Sequence, residues 1–167
     1  RAQGAATLRT GALFPSSAPA FLAAGFEVID TLSLLELDDL TVRADSTARN
    51  HDQPAARLRR LRPSQLDDAA IVDQHAFPAP WANNAAALHD IVTATPRYRA
   101  RCVHHDGQMV AFSISGRAST WGYVQRLAVM PAARRRGLAR LLVADALDWM
   151  RRRNVERVLV NTATDNT

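Results

Sequence analysis

The stretch Tyr123-Val-Gln-Arg-Leu-Ala-Val-Met-Pro-Ala-Ala-Arg-Arg-Arg-Gly-Leu-Ala139 decides the fold of this chain. Its first part, Tyr123–Val129, is rich in β-branched and aromatic residues and predicts a strand that Met130-Pro131 ends. A short basic loop then leads into an apolar run from Leu138 to Met150. A helix that starts after such a loop exposes unpaired backbone N–H groups and the positive end of its dipole, which together bind phosphates. The stretch therefore predicts a strand, a phosphate-binding loop and a helix.

Hydrophobic periodicity predicts the other elements. A helix after the loop is indicated by apolar residues at a 3.6-residue spacing: Leu138, Leu141, Leu142, Ala146, Trp149 and Met150. Asp106-Gly107 predicts the turn of a hairpin. The predicted order is a strand at Arg57–Leu61, a helix at Gln65–Ala76 capped by Ser64, a helix at Asn84–Val92, hairpin strands at Tyr98–His105 and Met109–Ser115, the strand Tyr123–Val129, the helix, and a strand at Arg157–Thr162.

Three short patterns carry a family resemblance. Arg134, Gly137 and Ala139 fill the sequence Gln/Arg-x-x-Gly-x-Gly/Ala, which resembles the acetyl-CoA motif of the GNAT acetyltransferases. The preceding Leu127-Ala-Val-x-Pro131 and the following Asn161-Thr-x-x-Asp-Asn166 are also typical of that family. The resemblance implies an α/β (α+β) GNAT fold. Its central sheet is mixed and mostly antiparallel, its fourth and fifth strands are parallel and splayed, and helices flank it.

The resemblance also implies acetyl-CoA as cosubstrate. In the family, the loop holds the pyrophosphate on backbone N–H groups and an arginine reaches the 3′-phosphate. The fourth strand pairs with the pantetheine arm, and one of its N–H groups serves as an oxyanion hole. The cofactor-binding residues implied here are Leu127, Ala128, Val129, Arg134, Arg135, Arg136, Gly137, Leu138, Ala139 and Asn166. The alternatives are a basic loop that only caps a helix, and an Asn166 that is an ordinary helix cap.

The catalytic residues are not identified by the sequence. Many members of the family carry a Glu near the position of Gln125, which cannot usefully accept a proton, and others deprotonate the amine through ordered water. Gln125 and Tyr123 are the candidates, with His104, His105 and Glu156 as further titratable groups. No histidines and carboxylates have metal-site spacing, so we expect no metal.

Two further segments are implied to face the acceptor. The strand that carries Asn161 borders the acceptor amine in this family. Phe77 and Trp81, between the first two predicted helices, lie where the family's acceptor groove is lined. A hydrophobic contact between those helices explains Phe77 and Trp81 equally well.

The composition of the chain limits which classes of partner it can bind. The chain has 167 residues, 47% of them hydrophobic, and one cysteine, Cys102, which excludes an internal disulfide. Lys+Arg exceed Asp+Glu by 21 to 16. This excess suits a polyanionic cofactor better than a nucleic acid, since no nucleic-acid-binding module is recognised. We expect a cytoplasmic protein with no membrane partner, and keep a homodimer as an open alternative.

The domain organisation has one unusual part. Residues 56–167 resemble a GNAT domain without its closing helix and strands, and the polar residues 43–55 indicate a linker. Residues 1–42 contain Ser17-Ala-Pro-Ala-Phe-Leu-Ala-Ala-Gly-Phe-Glu27, which resembles the family's closing helix and its Tyr-x-x-x-Gly-Phe signature. Strands at Leu8–Leu13 and Val28–Leu35 would flank it, making a partial repeat. The alternative is an ordinary helix followed by a strand.

The predicted function is an N-acetyltransferase that moves an acetyl group from acetyl-CoA to a primary amine by direct attack. The acceptor is a small molecule or a peptide N-terminus. One alternative is a catalytically degenerate module that only binds acyl-CoA. Another is a basic nucleic-acid binder, which would show steep salt dependence.

Overall fold

The computed structural model describes residue 8, residues 10–11, residues 13–40 and residues 56–164. These residues form two compact units. The larger runs from Leu34 to Asn161, and the smaller combines the described residues before Leu34 with those after Asn161. The predicted linker 43–55 and Asn166 lie outside the described residues.

A six-stranded sheet is the main element of the fold. Its strands are β1 (Leu32–Leu37), β2 (Arg59–Arg60), β3 (Arg97–His105), β4 (Gln108–Ala118), β5 (Trp121–Val129) and β6 (Arg157–Ala163). Their order across the sheet is β1-β6-β5-β4-β3-β2. The pairs from β2 to β5 are antiparallel, whereas β5 and β6 are parallel. This confirms the predicted mixed, mostly antiparallel sheet.

Two layers of helix cover the sheet. Helices α2 (Leu66–Ala76) and α3 (Ala85–Thr93) pack on one face, where Phe112 and Ile114 of β4 are fully buried. Helix α4 (Leu138–Arg151) packs on the other face, against Val103 and Ala111. It links β5 to β6, because parallel neighbours require a crossover connection. Its predicted stripe is buried except at Leu141, which is half-buried.

Two predicted details are wrong. Ser64 does not cap α2, because it lies inside a short 3-10 turn at Pro63–Gln65. The fixed φ of Pro63 starts this turn one residue before Ser64. The N–H of Arg62 donates to Gln65 Oε1 at 3.1 Å. The first strand is shorter than Arg57–Leu61, since it spans only Arg59–Arg60, and the N–H of Leu61 then donates to the carbonyl of Ala100 at 3.1 Å.

The smaller unit contains α1 (Ala18–Ala23). The helix ends at Ala23, and Gly25 beyond its cap has a φ of +89°, which allows the N–H of Phe26 to donate to the carbonyl of Phe21 at 3.0 Å. The strand predicted at Leu8–Leu13 is wrong in its described residues, none of which is in a strand, and Leu8 and Leu13 are exposed. The next strand begins at Leu32 rather than Val28. The partial repeat stays a prediction.

Among the helices of the described residues, none combines the length and apolar character that crossing a membrane requires.

Candidate cofactor and active site

The start of α4 presents a set of unpaired backbone donors. Gly137 is its N-cap residue, and no side chain caps the helix. The first helical hydrogen bond runs from the N–H of Leu141 to the carbonyl of Gly137 at 3.0 Å. Within the described part of the chain, the N–H groups of Leu138, Ala139 and Arg140 therefore have no acceptor. Together with the helix dipole they form an anion-binding end.

The backbone conformation of the preceding loop also favours anion binding. Arg135 has a φ of +62° and Gly137 a φ of +75°, while Arg136 between them does not have a positive φ. Such alternation turns successive N–H groups toward one side and makes an anion-binding concavity. A Cβ built on Gly137 would meet nothing within 4 Å, so the space above this glycine is open.

Positive charge surrounds this helix start. Arg134, Arg135, Arg136 and Arg140 are exposed, and within the described ranges none of them pairs with a carboxylate. Arg134 has a partly structural role, because its Nη2 donates to the carbonyl of Ala76 at the end of α2, at 3.2 Å. The other three guanidinium groups can reach a multiply charged phosphate ligand.

The parallel strands separate beside this loop. The pairing of β5 with β6 covers Trp121–Tyr123 and stops at the pair of Tyr123 with Leu159. Strand β5 then continues to Val129 with no partner on this edge among the described residues, so Leu127, Ala128 and Val129 present free backbone there. Their side chains pack into the two cores. An extended ligand arm can hydrogen-bond to such a free strand edge.

A β-bulge lies at the point where the strands separate. On β4, Ile114 pairs with Arg126 and Ser115 pairs with Val124, which leaves Gln125 as the extra residue of β5. In a regular strand, consecutive side chains point to opposite faces. Gln125 and Arg126 instead both reach the face covered by α2 and α3, since Arg126 binds Asp73 of α2 and Gln125 lies against Gly116. Bulges re-aim side chains in this way and are common next to active sites.

Gln125 has an unused hydrogen-bonding group. Its Oε1 is buried and has no partner. The oxygen would be 2.6 Å from a Cβ on Gly116, so only a glycine at that position leaves room for it. The hydroxyl of Ser115, also on this part of β4, is buried without a partner too. A buried acceptor without a donor is costly, and a bound substrate or water can satisfy it.

The loop between α2 and α3 is fixed beside the bulge by Arg126. Its Nε and Nη2 donate to both carboxylate oxygens of Asp73, at 2.6 Å and 2.7 Å, and its Nη2 also donates to the carbonyl of Trp81 at 2.8 Å. The guanidinium lies 3.5 Å from the ring centre of Phe77. The same carboxylate accepts from the N–H of Asn83 at 2.7 Å. Phe77 and Trp81 are thus held at the bulge, on the side where the acceptor groove is expected.

Sequence reasoning did not identify this cluster. The available signal was Asp73 itself, a carboxylate at a position of the otherwise apolar buried stripe of α2. Such a residue needs a cationic partner, because an unpaired buried charge is strongly unfavourable.

The structure brings only part of the predicted catalytic set to the bulge. Tyr123 is half-buried and lies two residues before Gln125 on β5. His104 and His105 are at the opposite end of the β3–β4 hairpin, where His105 is 3.5 Å from Asp106. Glu156 is exposed before β6, beside Thr120. Asn161 is exposed two residues beyond the last β5–β6 pair.

The described residues contain no group of three His, Cys, Asp or Glu side chains that could hold a metal ion.

Several solved structures share this fold. The ribosomal-protein-S18-alanine N-acetyltransferase from Escherichia coli is 23% identical, with a TM-score of 0.59 over 66% of this chain and 69% of its own. The PaiA N-acetyltransferase from Thermoplasma acidophilum, in complex with coenzyme A, is 11% identical, with a TM-score of 0.59 over 68% and 83%. Ard1 from Thermoplasma volcanium is 21% identical, with a TM-score of 0.59 over 68% and 75%.

Among curated protein sequences there is no significant match. The family profile described as "Acetyltransferase (GNAT) family" matches residues 64–167. This range begins before α2 and includes both the strand–loop–helix segment and the bulge of β5. With that match and the shared fold, the chain belongs to the GNAT acetyltransferase family.

Proposed function

We propose that this protein is an N-acetyltransferase that uses acetyl-CoA and a primary amine in a ternary complex. The observation that carries the proposal is the row of unpaired N–H groups at Leu138–Arg140 beside the free edge of Leu127–Val129. A ligand that has a pyrophosphate at one end and an amide-bearing arm at the other matches both features. Coenzyme A has this composition, and Arg135 or Arg136 can pair with its 3′-phosphate.

The reaction would occur at the bulge. The acetyl thioester extends along β5, and a main-chain N–H near Gln125 stabilises the negative charge that grows on its carbonyl oxygen. The amine nitrogen attacks the carbonyl carbon, the C–S bond breaks, and the coenzyme A thiolate takes up a proton. Most of the rate gain then comes from holding the two substrates together and from the oxyanion interaction.

The attacking amine must first lose a proton. Gln125 cannot accept it, and the nearby carboxylate of Asp73 is fully buried and bound to Arg126. We therefore infer that the proton leaves through water, and that the free Oε1 of Gln125 accepts a hydrogen bond from that water or from the amine. Phe77 and Trp81 line the approach of the acceptor.

The test combines binding and turnover. Calorimetry measures the affinity for acetyl-CoA and coenzyme A, and release of free thiol reports turnover with a panel of peptide α-amines, aminoglycosides and polyamines. Amine-dependent thiol release, with acetylated amine found by mass spectrometry, supports the proposal. Coenzyme A binding without turnover on any amine would instead indicate a module that only binds acyl-CoA. The observation that favours this alternative is Gln125, because a glutamine cannot act as the general base.

A further inference from the structure

Arginines are concentrated on the α4 face of the sheet. Arg97, Arg99 and Arg101 alternate along β3, and Asp145 of α4 binds two of them. Strand register adds one arginine from each neighbouring strand, since Arg60 lies opposite Arg101 and Arg117 lies opposite Arg97. Like charges directly opposite each other destabilise a sheet. The arginines on this face therefore repel one another, and this repulsion is unfavourable for the fold.

Only one carboxylate offsets this charge within the described residues. Asp145 accepts from Arg99 at 2.6 Å and 2.7 Å, and from Arg101 at 3.4 Å. Arg60 and Arg97 are exposed and form no ion pair with any described residue. Five arginines thus face one carboxylate, and the guanidinium groups of Arg60 and Arg97 are available to a ligand.

These side chains surround a cavity. It has a volume of about 370 Å³ and is lined by Arg60, Arg97, Arg99 and Arg101, with Tyr98 and Trp149 also on its wall. This volume is in the range of small-molecule sites. Strand β2 ends at Arg60, and the N–H of Leu61 donates to the carbonyl of Ala100, so the cavity opens at the edge of the sheet beside Arg97–Arg99, which pair with no described strand on that side.

The cavity is separate from the proposed cofactor site. Trp149 is twelve residues after Gly137 on α4, which places it about 18 Å further along the helix axis. The cofactor loop is at the N-terminus of α4, whereas this cavity is near its C-terminus. One coenzyme A phosphate cluster cannot occupy both positions.

We propose that this arginine cavity binds a second, small ligand that carries a diphosphate or a similarly polyvalent phosphate group. The planar fork of a guanidinium matches phosphate oxygens in a two-bond geometry. Arg60 and Arg97 bind the anion directly, and Asp145 holds Arg99 and Arg101 in place behind it. The limited volume of this open groove favours a small phosphate compound over a nucleic acid, which would need an extended basic surface.

The test is calorimetry with inorganic pyrophosphate on the full chain carrying Gly137→Glu, in which the proposed cofactor loop does not bind the probe, with wild type for comparison. We expect the double variant Arg60→Gln/Arg97→Gln to bind at least about tenfold more weakly, since hydrogen bonds to a charged group contribute this much. Arg59→Gln is the matched control, because Arg59 is also exposed but pairs with Cys102 on the opposite face. This control should bind like wild type.

Three results would overturn the proposal. The first is that wild-type protein does not bind pyrophosphate, and the second is that Arg59→Gln weakens binding as much as the double variant. The third is that pyrophosphate binding is lost only in Gly137→Glu, which would show that the pyrophosphate binds to the cofactor loop. A short oligonucleotide serves as the competing ligand. If it binds through Arg60 and Arg97 while pyrophosphate does not, the face is a nucleic-acid interface.

Discussion

Arg126 and Asp73 form a bidentate ion pair that joins β5 to α2, with N–O distances of 2.6 Å and 2.7 Å. The side chain of Asp73 is completely buried and that of Arg126 is 16% exposed. The pair also holds the loop between α2 and α3, because Arg126 donates to the carbonyl of Trp81 and Asp73 accepts from the N–H of Asn83. A structural ion pair thus lies directly beside the residue proposed to face the reacting amine.

Breaking this pair should strongly destabilise the fold. Asp73→Ala leaves a buried guanidinium without its partner, and we expect the free energy of unfolding in urea to fall by about 3–5 kcal/mol. Asp68→Ala is the control, since Asp68 is exposed on the same helix and should change stability by no more than about 0.5 kcal/mol. If the loss at Asp73 is below about 1 kcal/mol, the pair does not hold the loop.

A double-mutant cycle separates the pair from its surroundings. Arg126→Leu together with Asp73→Ala removes both charges, so the double variant should be more stable than the sum of the two single losses predicts. Strict additivity would mean that the two side chains do not interact energetically.

The sequence predicted local features well and long-range ones poorly. The Leu138–Met150 stripe and the Asp106-Gly107 turn depend on neighbouring residues, and the structure has both. The bulge at Gln125 and the pairing of Arg126 with Asp73 depend on strand register and on packing between segments far apart in the chain. Neither has a pattern in the linear sequence. The opposed arginines were undetectable for the same reason.

Gly137→Glu should abolish coenzyme A binding with little loss of stability. The added carboxylate enters the open space above the loop, where it repels a pyrophosphate. The positive φ of Gly137 costs about 1–2 kcal/mol for a residue with a Cβ, and a negative charge at a helix N-terminus offsets part of this. Calorimetry with acetyl-CoA and thermal melts measure the two effects.

Gly107→Glu provides a control for backbone strain. Gly107 has a φ of +79° and equally open surroundings, but it lies in the β3–β4 turn. This variant should lose similar stability and keep its affinity for acetyl-CoA. Wild-type affinity in Gly137→Glu would show that the phosphates bind elsewhere, and a much larger melting loss there than in Gly107→Glu would make Gly137 a structural glycine.

Gln125→Ala should slow turnover without weakening cofactor binding. The variant loses the buried Oε1 that has no partner within the protein. Loss of one hydrogen bond in the transition state corresponds to roughly a tenfold decrease in kcat. Steady-state kinetics and calorimetry with acetyl-CoA test this together. A rise in the dissociation constant of acetyl-CoA with unchanged kcat would show that Gln125 contacts the cofactor rather than the reacting amine or water.

Cys102 should be unreactive in the folded protein. Burial raises the pKa of its thiol, and the nearby positive charges of Arg59 and Arg101 offset only part of that rise. The side chain is also fully buried. Since the thiolate is the reactive form, we expect Ellman's reagent at pH 8 to react at least about a hundredfold more slowly than in urea. Rapid labelling of native protein would show that β3 is accessible to solvent.

The stability of the fold should depend on pH through Asp145. Burial alone would raise the pKa of this carboxyl, but hydrogen bonds and positive charge from Arg99 and Arg101 outweigh it and hold the pKa below its usual value. A carboxyl with a lowered folded-state pKa stabilises the protein above its unfolded value of about 3.9, and this contribution is lost as the pH falls through the folded-state pKa.

Asp145→Asn removes this charge while it keeps the shape of the side chain. We expect the variant to be less stable than wild type by about 1–3 kcal/mol at pH 7. The difference should shrink as the pH falls below about 4, because protonation then removes the same charge from wild type. Urea unfolding of both proteins across this pH range measures the difference. If it stays constant with pH, Asp145 does not act through its charge, and the arginines of β3 are held in place by packing alone.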